Sequence, residues 1–164
     1  MSIAIREYRD SDFESLVSCM RELQEHIAAT DSLHYVRSGT DYDDRAYWNN
    51  VVAKVQNATG AIYVAEDTEN IIVGCIAGII PEPSYDDLLV DLPMKAGIIL
   101  EMYVAKQARR MGLGVRLMKS MELYFQKQKC DVFQVDCFAP NVGAHTFYEK
   151  CGYKDRMIIM MKKV

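Results

Sequence analysis

The residues best suited to chemistry form a short basic loop of the pattern R-x-x-G-x-G, with Arg109, Gly112 and Gly114 at its defined positions. An apolar run leads into the loop, and an amphipathic helical pattern leads out of it. Between Met102 and Met121 the chain carries five basic residues and no acidic one, although its net charge is −4. Glycines let the main chain approach a phosphate closely, and a helix N-terminus offers it unpaired N–H groups. The loop therefore predicts a binding site for a phosphate-bearing ligand.

Other phosphate-binding patterns fit this loop less well. The sequence contains no Gly-Lys-Ser or Gly-Lys-Thr, which argues against a P-loop. The third glycine of a dinucleotide-binding loop is missing, since Leu117 stands three residues after Gly114. A tight strand-to-helix turn with solvated arginines is the structural alternative.

A second pattern, N-x-x-A-x-x-F-Y-E-K-x-G-Y, follows farther along the chain. Its members are Asn141, Ala144, Phe147, Tyr148, Glu149, Lys150, Gly152 and Tyr153. Together the two patterns resemble those of the GNAT N-acetyltransferases, which transfer an acetyl group from acetyl-coenzyme A to an amine. The order of predicted elements agrees with that family over nearly the whole chain. The resemblance implies an acetyl-coenzyme A-dependent enzyme whose basic loop grips the pyrophosphate.

The resemblance also implies how the acetyl donor would lie. The parallel strands that end at Val104 and Phe138 are expected to splay apart, with the pantetheine arm in the gap. A main-chain N–H there is suited to polarise the thioester carbonyl. The residues assigned to cofactor binding in this way are Met102, Tyr103, Val104, Arg109, Arg110, Met111, Gly112, Leu113, Gly114, Val115, Asn141 and Tyr148.

The resemblance gives Tyr148 the role of general acid towards the departing thiolate. A phenol with a pKa near ~10 suits a thiolate of roughly similar basicity. The alternative is a core aromatic, since Ala144, Phe147, Tyr148 and Cys151 share the spacing of one helical face. For Asn141 the corresponding alternative is a plain helix N-cap.

Glu101 interrupts the apolar strand that precedes the loop. A carboxylate is costly to bury without a partner or a function. Related acetyltransferases often carry a carboxylate near this place, so Glu101 is the candidate general base or substrate contact. A buried ion-pair partner is the alternative. Strand alternation places Glu101 and Tyr103 on the face opposite Met102 and Val104, unless a bulge intervenes.

Two loops, at 28–42 and 81–93, are candidates for selecting the substrate. Their acidic, aromatic and imidazole side chains are His34, Tyr35, Asp41, Tyr42, Asp43 and Asp44 in or beside the first, and Glu82, Asp86, Asp87 and Asp91 in the second. Such walls suit a small cationic amine through charge steering and cation–π contact. A solvated acidic surface explains the same residues equally well. Polyamines, aminoglycosides and amino-acid-like amines are all candidates.

Length and composition predict one globular domain over residues 1–164, with half of the residues hydrophobic. No apolar run reaches the length of a membrane span and no export signal is visible, so we expect a cytoplasmic protein with no membrane partner. The net charge of −4 argues against a nucleic-acid partner.

The cysteines and histidines predict no metal site. The five cysteines are odd in number and contain no C-x-x-C pair, and the three histidines form no H-E-x-x-H pattern. Reduced, structural thiols are expected. No histidine pattern marks a cysteine as an activated nucleophile, so direct attack of the amine on the thioester is favoured.

Hydrophobic periodicity and turn residues predict the element order β-α-α-β-β-β-α-β-α-β. The predicted fold is α/β, with a mixed, twisted sheet of about six to seven strands and about four helices. The resemblance implies that this fold is GNAT-like, with a splayed parallel strand pair at the cofactor site. The parallel pair follows from a right-handed crossover between 98 and 138. One or two closing strands are expected in Tyr153–Lys163.

Three alternatives in function stay open on these observations. The acceptor could be a protein or peptide amine, the chain could be a non-catalytic acyl-coenzyme A-binding module, or it could be a purely structural domain. GNAT proteins are often dimers, so a homodimer is an expectation of the resemblance, although no sequence feature marks an interface.

Overall fold

The computed structural model describes residues 2–164 as five strands and five α-helices. The strands are β1 (Ala4–Glu7), β2 (Thr59–Glu66), β3 (Ile72–Ile80), β4 (Ala96–Val104) and β5 (Val132–Val135). The α-helices are α1 (Phe13–Thr30), α2 (Asp44–Asn57), α3 (Tyr85–Val90), α4 (Leu113–Lys127) and α5 (Val142–Lys150). Single turns of 3₁₀ helix lie at Asp10–Asp12, Gly39–Asp41 and Lys106–Ala108.

The five strands form one mixed sheet in the order β1-β2-β3-β4-β5. Neighbouring strands are antiparallel except β4 and β5, which run parallel with Ile98 opposite Gln134. The helix α4 connects these two strands, as the sequence predicts for a crossover. The predicted α/β class with a mixed sheet is therefore confirmed.

The sheet has five strands rather than the six to seven predicted. The prediction of closing strands in Tyr153–Lys163 is wrong, because no residue of that segment joins the sheet as the structure describes it. A strand must pair its main-chain groups with a neighbour, and this segment pairs with no strand of its own chain. The strand β5 also ends before the predicted end at Phe138, since its pairing with β4 stops at Val135.

An additional helix raises the helix number from about four to five. The segment predicted as an acidic loop contains α3, which begins with a capping box between Ser84 and Asp87. The Asp87 N–H donates to the Ser84 hydroxyl at 3.1 Å, and the Ser84 N–H donates to the Asp87 carboxylate at 3.1 Å. Such a box stabilises a helical turn by pairing its free N–H groups. A helix of six residues is too short for its apolar period to be read from sequence.

Helices cover both faces of the sheet. The helix α4 packs on one face, where glycines leave room for the fully buried Phe125. A Cβ atom built on Gly97 would lie 2.4 Å from the Phe125 ring, and one on Gly78 would lie 2.7 Å from it. The helices α1 and α2 pack on the opposite face, where Met20 and Trp48 are buried. This second face carries the site described below.

The Phe125→Ala variant is expected to lower the free energy of unfolding by about 3–5 kcal/mol, because it leaves a cavity between α4 and the sheet. Urea unfolding followed by circular dichroism measures the change. Leu123→Ala on the same helix is the matched control, since Leu123 is 46% exposed. Equal losses in the two variants would contradict this description of the core.

Candidate active site

A gap opens between β4 and β5 where their parallel pairing ends. The register runs from Ala96 opposite Val132 to Ile99 opposite Val135, and stops there. The strand β4 continues to Val104, so its second half has no strand beside it on that edge. The parallel pairing of β4 and β5 therefore covers only the first part of β4.

A β-bulge in β4 decides which side chains face the gap. Gly78 pairs with Ile99 and Ala77 pairs with Glu101, so Leu100 is an extra residue in β4. Residues directly opposite each other in a sheet share a face. Ile99 therefore shares the α4 face with Gly78, whereas Glu101 faces the helices α1 and α2.

A pocket lies in the gap, bounded by α1, α2, β4, the chain that follows β5, and α5. Its polar side chains are Gln24, Tyr42, Tyr47, Glu101, Asp136, Cys137, Asn141 and Tyr148. Leu23 and Ile27 of α1 add an apolar wall. No lysine, arginine or histidine of the described chain lines the pocket. Its charge therefore favours a cationic ligand over an anionic one.

Glu101 is a partly buried carboxyl group of this pocket. The Tyr47 hydroxyl donates a hydrogen bond to its Oε1 atom. Burial raises the pKa of Glu101 above its usual value, while the bond from Tyr47 and the positive charge of Lys54 oppose that shift. Across residues 2–164 no ion pair involves Glu101. The carboxyl group is thus suited to accept a proton from a ligand.

Tyr148 reaches the same pocket from α5. Its ring packs edge-on against Phe147 and Tyr153, with centroid distances of 5.4 and 6.2 Å. Burial raises the pKa of Tyr148 to about 12, so the phenol is protonated throughout the neutral range. Its hydroxyl makes no hydrogen bond to another described residue, which leaves the proton available to a ligand in the gap.

The basic loop ends in an uncapped helix N-terminus. Gly112 occupies the N-cap position of α4 with φ at 74°, and no side chain caps the helix. Arg110 also adopts the left-handed region, with φ at 61°, which is strained for a residue with a side chain. The first turn contains no acidic residue. Free N–H groups and the positive end of a helix dipole are features suited to binding an anion.

The other residues predicted to bind the cofactor include both buried and exposed side chains. Leu113 is buried, whereas Met111 and Val115 are about half exposed beside the helix N-terminus. A Cβ atom on Gly114 would lie 3.2 Å from Phe147 and 3.3 Å from Met102, so this glycine lets α4 approach α5 and β4 closely.

Arg109 and Tyr103 are already engaged within the protein. The Arg109 Nε atom donates to the Val104 carbonyl at 2.9 Å, which fixes the start of the loop. The Tyr103 hydroxyl donates to Glu22 at 2.6 Å on the face covered by α1. Arg109 therefore keeps its other guanidinium N–H groups free for a ligand, whereas Tyr103 keeps only its main chain.

The profile of the acetyltransferase (GNAT) family matches residues 13–153. The chain belongs to this family. The match includes both sequence motifs and all the pocket residues named above. The resemblance drawn from the two motifs is therefore confirmed.

A curated relative of this GNAT chain is the glucosamine 6-phosphate N-acetyltransferase of Candida albicans. The two are 40% identical over 67 residues, which are 41% of this chain and 43% of the relative. The chain spans about two fifths of the length of the curated relatives that it matches. The likeness supports the family, and the sugar phosphate belongs to the relative's name alone.

Solved structures agree with the GNAT fold. A point mutant of the BH1408 protein from Bacillus halodurans superposes with a TM-score of 0.85 at 19% identity, covering 98% of this chain and 99% of that one. AAC(6')-Iy, in complex with the bisubstrate analog CoA-S-monomethyl-acetylneamine, has a TM-score of 0.72 at 14% identity, with 100% of each chain covered. At these identities the likeness shows the fold.

Asn141 forms the N-cap of α5 in this GNAT domain, and its Oδ1 accepts from the Ala144 N–H at 3.2 Å. Asn141 is thus a helix N-cap, which was the alternative to a cofactor contact, and it lines the pocket as well. Glu101, Tyr148 and Asn141 are brought together at one pocket, while the glycines of the loop lie at the start of α4.

The two candidate selectivity loops contribute little to the pocket. Tyr42 is its one lining residue from 28–42, and the described residues of 81–93 do not line it. Tyr47 of α2, by contrast, lines the pocket although no sequence motif singled it out. A tyrosine within an apolar helical stripe was the sequence signal that could have identified Tyr47, because a buried phenol needs a polar partner.

Neither a metal centre nor a membrane-spanning helix is found among residues 2–164. Residues 2–164 contain no group of three or more His, Cys, Asp or Glu side chains that could hold a metal ion. No described helix combines the length and apolar character needed to cross a membrane. The five cysteines are free thiols.

Proposed function

We propose that this chain is an acetyl-coenzyme A-dependent N-acetyltransferase that acetylates a small cationic amine by direct attack on the thioester. The observation that carries this proposal is the position of Glu101 and Tyr148 in one pocket, at the gap where β4 and β5 separate. A base and an acid are the two groups that acyl transfer to an ammonium substrate requires.

The basic loop is the proposed site for the pyrophosphate of coenzyme A. No side chain caps the main-chain N–H groups at the start of α4, and a Cβ atom on Gly112 would meet no other atom within 4 Å. The free edge of β4 beyond Ile99 offers main-chain groups to the amide-containing pantetheine arm. This arrangement would direct the thioester into the pocket between Glu101 and Tyr148.

Glu101 is the proposed general base. The ammonium form of the substrate must lose a proton before its nitrogen attacks the thioester carbon. The raised pKa of Glu101 makes its carboxylate a better proton acceptor than an exposed glutamate. The hydrogen bond from Tyr47 orients the carboxylate while its other oxygen stays available.

Tyr148 is the proposed donor to the leaving sulfur. With a pKa of about 12, the phenol is a weaker acid than a thiol, whose ordinary pKa is near ~8.5. Complete proton transfer to the thiolate is therefore uphill. A hydrogen bond that strengthens as charge develops on the sulfur is the role that this burial supports.

The pocket walls support a cationic acceptor. Tyr42 and Tyr47 pack with their ring centroids 5.8 Å apart and offer π faces to an ammonium group. Glu101 and Asp136 supply negative charge, and no described basic side chain opposes it. Polyamines and aminoglycosides fit these walls better than a phosphorylated sugar does.

The experiment that tests the function is a thiol-release assay with acetyl-coenzyme A and a panel of amines. The panel contains spermidine, an aminoglycoside, an amino-acid ester, glucosamine 6-phosphate and a lysine peptide. We expect turnover with at least one small cationic amine. Turnover with the lysine peptide alone would favour a protein acetyltransferase. Binding of coenzyme A without any turnover would favour a binding module, and no binding by calorimetry would refute the proposal.

The Tyr148→Phe variant is expected to lower kcat about a hundredfold, because the leaving sulfur loses its donor. The Kd for coenzyme A should change little, since the ring remains in place. Tyr153→Phe is the matched control, because its hydroxyl bonds to Glu122 rather than to the pocket. An unchanged kcat for Tyr148→Phe at every pH would rule out the donor role.

A further inference from the structure

A second cavity lies beside the pocket and shares Tyr42 with it. Tyr42 stands between the 3₁₀ turn Gly39–Asp41 and the start of α2. The second cavity opens between this turn and one side of α1, and we call it the α1 cleft. Its residues are Arg21, Glu25, Gly39, Thr40, Tyr42 and Asp44.

The pocket alone is small for everything that the proposed reaction brings there. Its volume is about 210 Å³, whereas sites that enclose a whole drug-sized ligand have volumes of about 300–1,000 Å³. The reacting amine and the thioester end of the acetyl donor would both have to lie in it. The rest of an acceptor therefore needs further space, and the adjoining α1 cleft offers about 370 Å³.

Hydrogen bonds hold the walls of the α1 cleft in place. The side-chain amide of Gln24 donates to the Arg37 carbonyl at 2.8 Å, which ties the loop between α1 and α2 to α1. The Tyr42 N–H donates to the Gly39 carbonyl at 3.4 Å and closes the turn. The buried carboxylate of Asp31 accepts three main-chain N–H groups at the start of the same loop. The cleft is therefore formed before a ligand arrives.

The charged groups of the α1 cleft have opposite signs and free ends. The Arg21 Nε atom donates to Asp44 at 2.5 Å, so this ion pair leaves the two terminal nitrogens of the guanidinium without a partner among residues 2–164. One helical turn further along α1, Glu25 makes no ion pair in the same part of the chain. Arg21 and Glu25 thus stay apart from each other, although the i,i+4 spacing permits a pair.

A free guanidinium end and a free carboxylate together match a zwitterion. The terminal N–H groups of Arg21 are arranged to bind a carboxylate through two parallel hydrogen bonds. Glu25 is suited to an ammonium group. An α-amino acid carries both of these groups on one carbon atom. A simple diamine would instead place its second ammonium group beside the guanidinium, where like charges repel.

We propose that the α1 cleft binds the α-amino-acid end of an acceptor such as free L-lysine or L-ornithine, with its carboxylate on Arg21 and its α-ammonium group on Glu25. The aliphatic chain would cross the ring of Tyr42 and bring the terminal ammonium group to Glu101 in the pocket. This inference rests on the proposed function, because it names the acceptor of that reaction. It also gives the loop at 28–42 a role in selecting the substrate.

Calorimetry with three ligands of equal chain length tests the α1 cleft without any turnover. L-lysine carries both groups of the zwitterion, cadaverine lacks the carboxylate, and 6-aminohexanoate lacks the α-ammonium group. L-ornithine, putrescine and 5-aminopentanoate repeat the comparison with a chain that is one methylene shorter. In one of the two series, we expect the amino acid to bind at least about tenfold more tightly than either analogue. No binding of either amino acid, or equal binding of its analogues, would overturn the proposal.

Two substitutions assign the two charged groups separately. Glu25→Gln should weaken the binding of the amino acid about tenfold and leave the analogue without an α-ammonium group within about twofold. Arg21→Lys keeps a positive charge beside Asp44 but loses the second hydrogen bond to a carboxylate. It should weaken the amino acid about tenfold and leave the diamine within about twofold. Glu69→Gln, at an exposed glutamate in the turn between β2 and β3, is the matched control.

Failure of the α1 cleft and failure of the proposed function give different results. If the thiol-release assay shows a kcat/KM for cadaverine or putrescine as high as that for the matching amino acid, the acetyltransferase stands and this acceptor is rejected. Amino-acid binding that depends on Arg21 and Glu25, without any thiol release, would support the cleft and reject the proposed reaction. Unchanged amino-acid affinity in both variants would reject the cleft whatever the activity.

Discussion

Replacing Glu101 by glutamine is expected to lower kcat/KM by about 10²–10⁴-fold without lowering the melting temperature. The fall in kcat/KM follows from loss of the proposed base. The unchanged melting temperature follows from the linkage between ionisation of this group and folding. The folded-state pKa of Glu101 is raised above the unfolded value, so ionisation of this carboxyl costs folding free energy as pH rises above its ordinary value near ~4.3. At neutral pH the glutamine variant avoids that cost.

The two readouts separate a catalytic role from a structural one. A structural carboxylate would lose stability on neutralisation, with activity falling in parallel. Glu22→Gln is the matched control, because Glu22 also accepts a hydrogen bond from a tyrosine on the same face of the sheet. Its side chain lies outside the pocket lining, so its kcat/KM should stay within about threefold of the parent.

The pH dependence follows from the same group. The carboxylate is the active form of a base, so kcat/KM is expected to rise with pH through the raised pKa of Glu101. The acidic limb should therefore lie above the usual glutamate value near ~4.3, and it should vanish in Glu101→Gln. A limb that persists unchanged in the variant would assign the titration to another group.

The second large effect is expected at the basic loop. Gly112→Asp should weaken the binding of coenzyme A at least about a hundredfold relative to Gly112→Asn. Two like charges 4 Å apart near a protein surface repel by about 4 kcal/mol, which salt reduces. A Cβ atom on Gly112 would meet no other atom within 4 Å, so bulk alone is tolerated.

Asparagine isolates the charge in this comparison. Asparagine and aspartate are similar in size, and both tolerate the left-handed φ of 74° better than most residues. Calorimetry with coenzyme A, at low and high salt, measures the difference. Equal affinities for the two variants would mean that the pyrophosphate lies elsewhere.

Local sequence patterns were sufficient to predict the parts of the candidate site that lie within a single loop or helix. The basic loop, the start of α4 and the cap at Asn141 all depend on residues close together in sequence. Glycine spacing and capping chemistry therefore predict them. The family followed from combining two such local patterns.

The rest depends on contacts between elements distant in the chain. Tyr47 meets Glu101 only because α2 packs on one face of the sheet, which no local pattern specifies. The missing closing strands have a similar cause: the apolar run is strand-like, but a strand forms only by pairing with a distant strand, and the run makes no such pairing in this structure. Strand content predicted from sequence therefore exceeded what one chain forms.

The extra residue Leu100 reverses the alternation of side chains between the two faces of β4. Before it, odd-numbered residues such as Ile99 face the packed core under α4, and after it the odd-numbered Glu101 faces the pocket. Within β4, the bulge therefore shifts the alternation of side chains by one residue between the part that packs in the core and the part that lines the pocket. If Leu100 paired regularly with Ala77, without a bulge, strand alternation would turn the Glu101 carboxylate towards the α4 core and place Leu100 on the face of the pocket. Which side chain of β4 faces the pocket therefore depends on the position of the bulge as much as on the residue types.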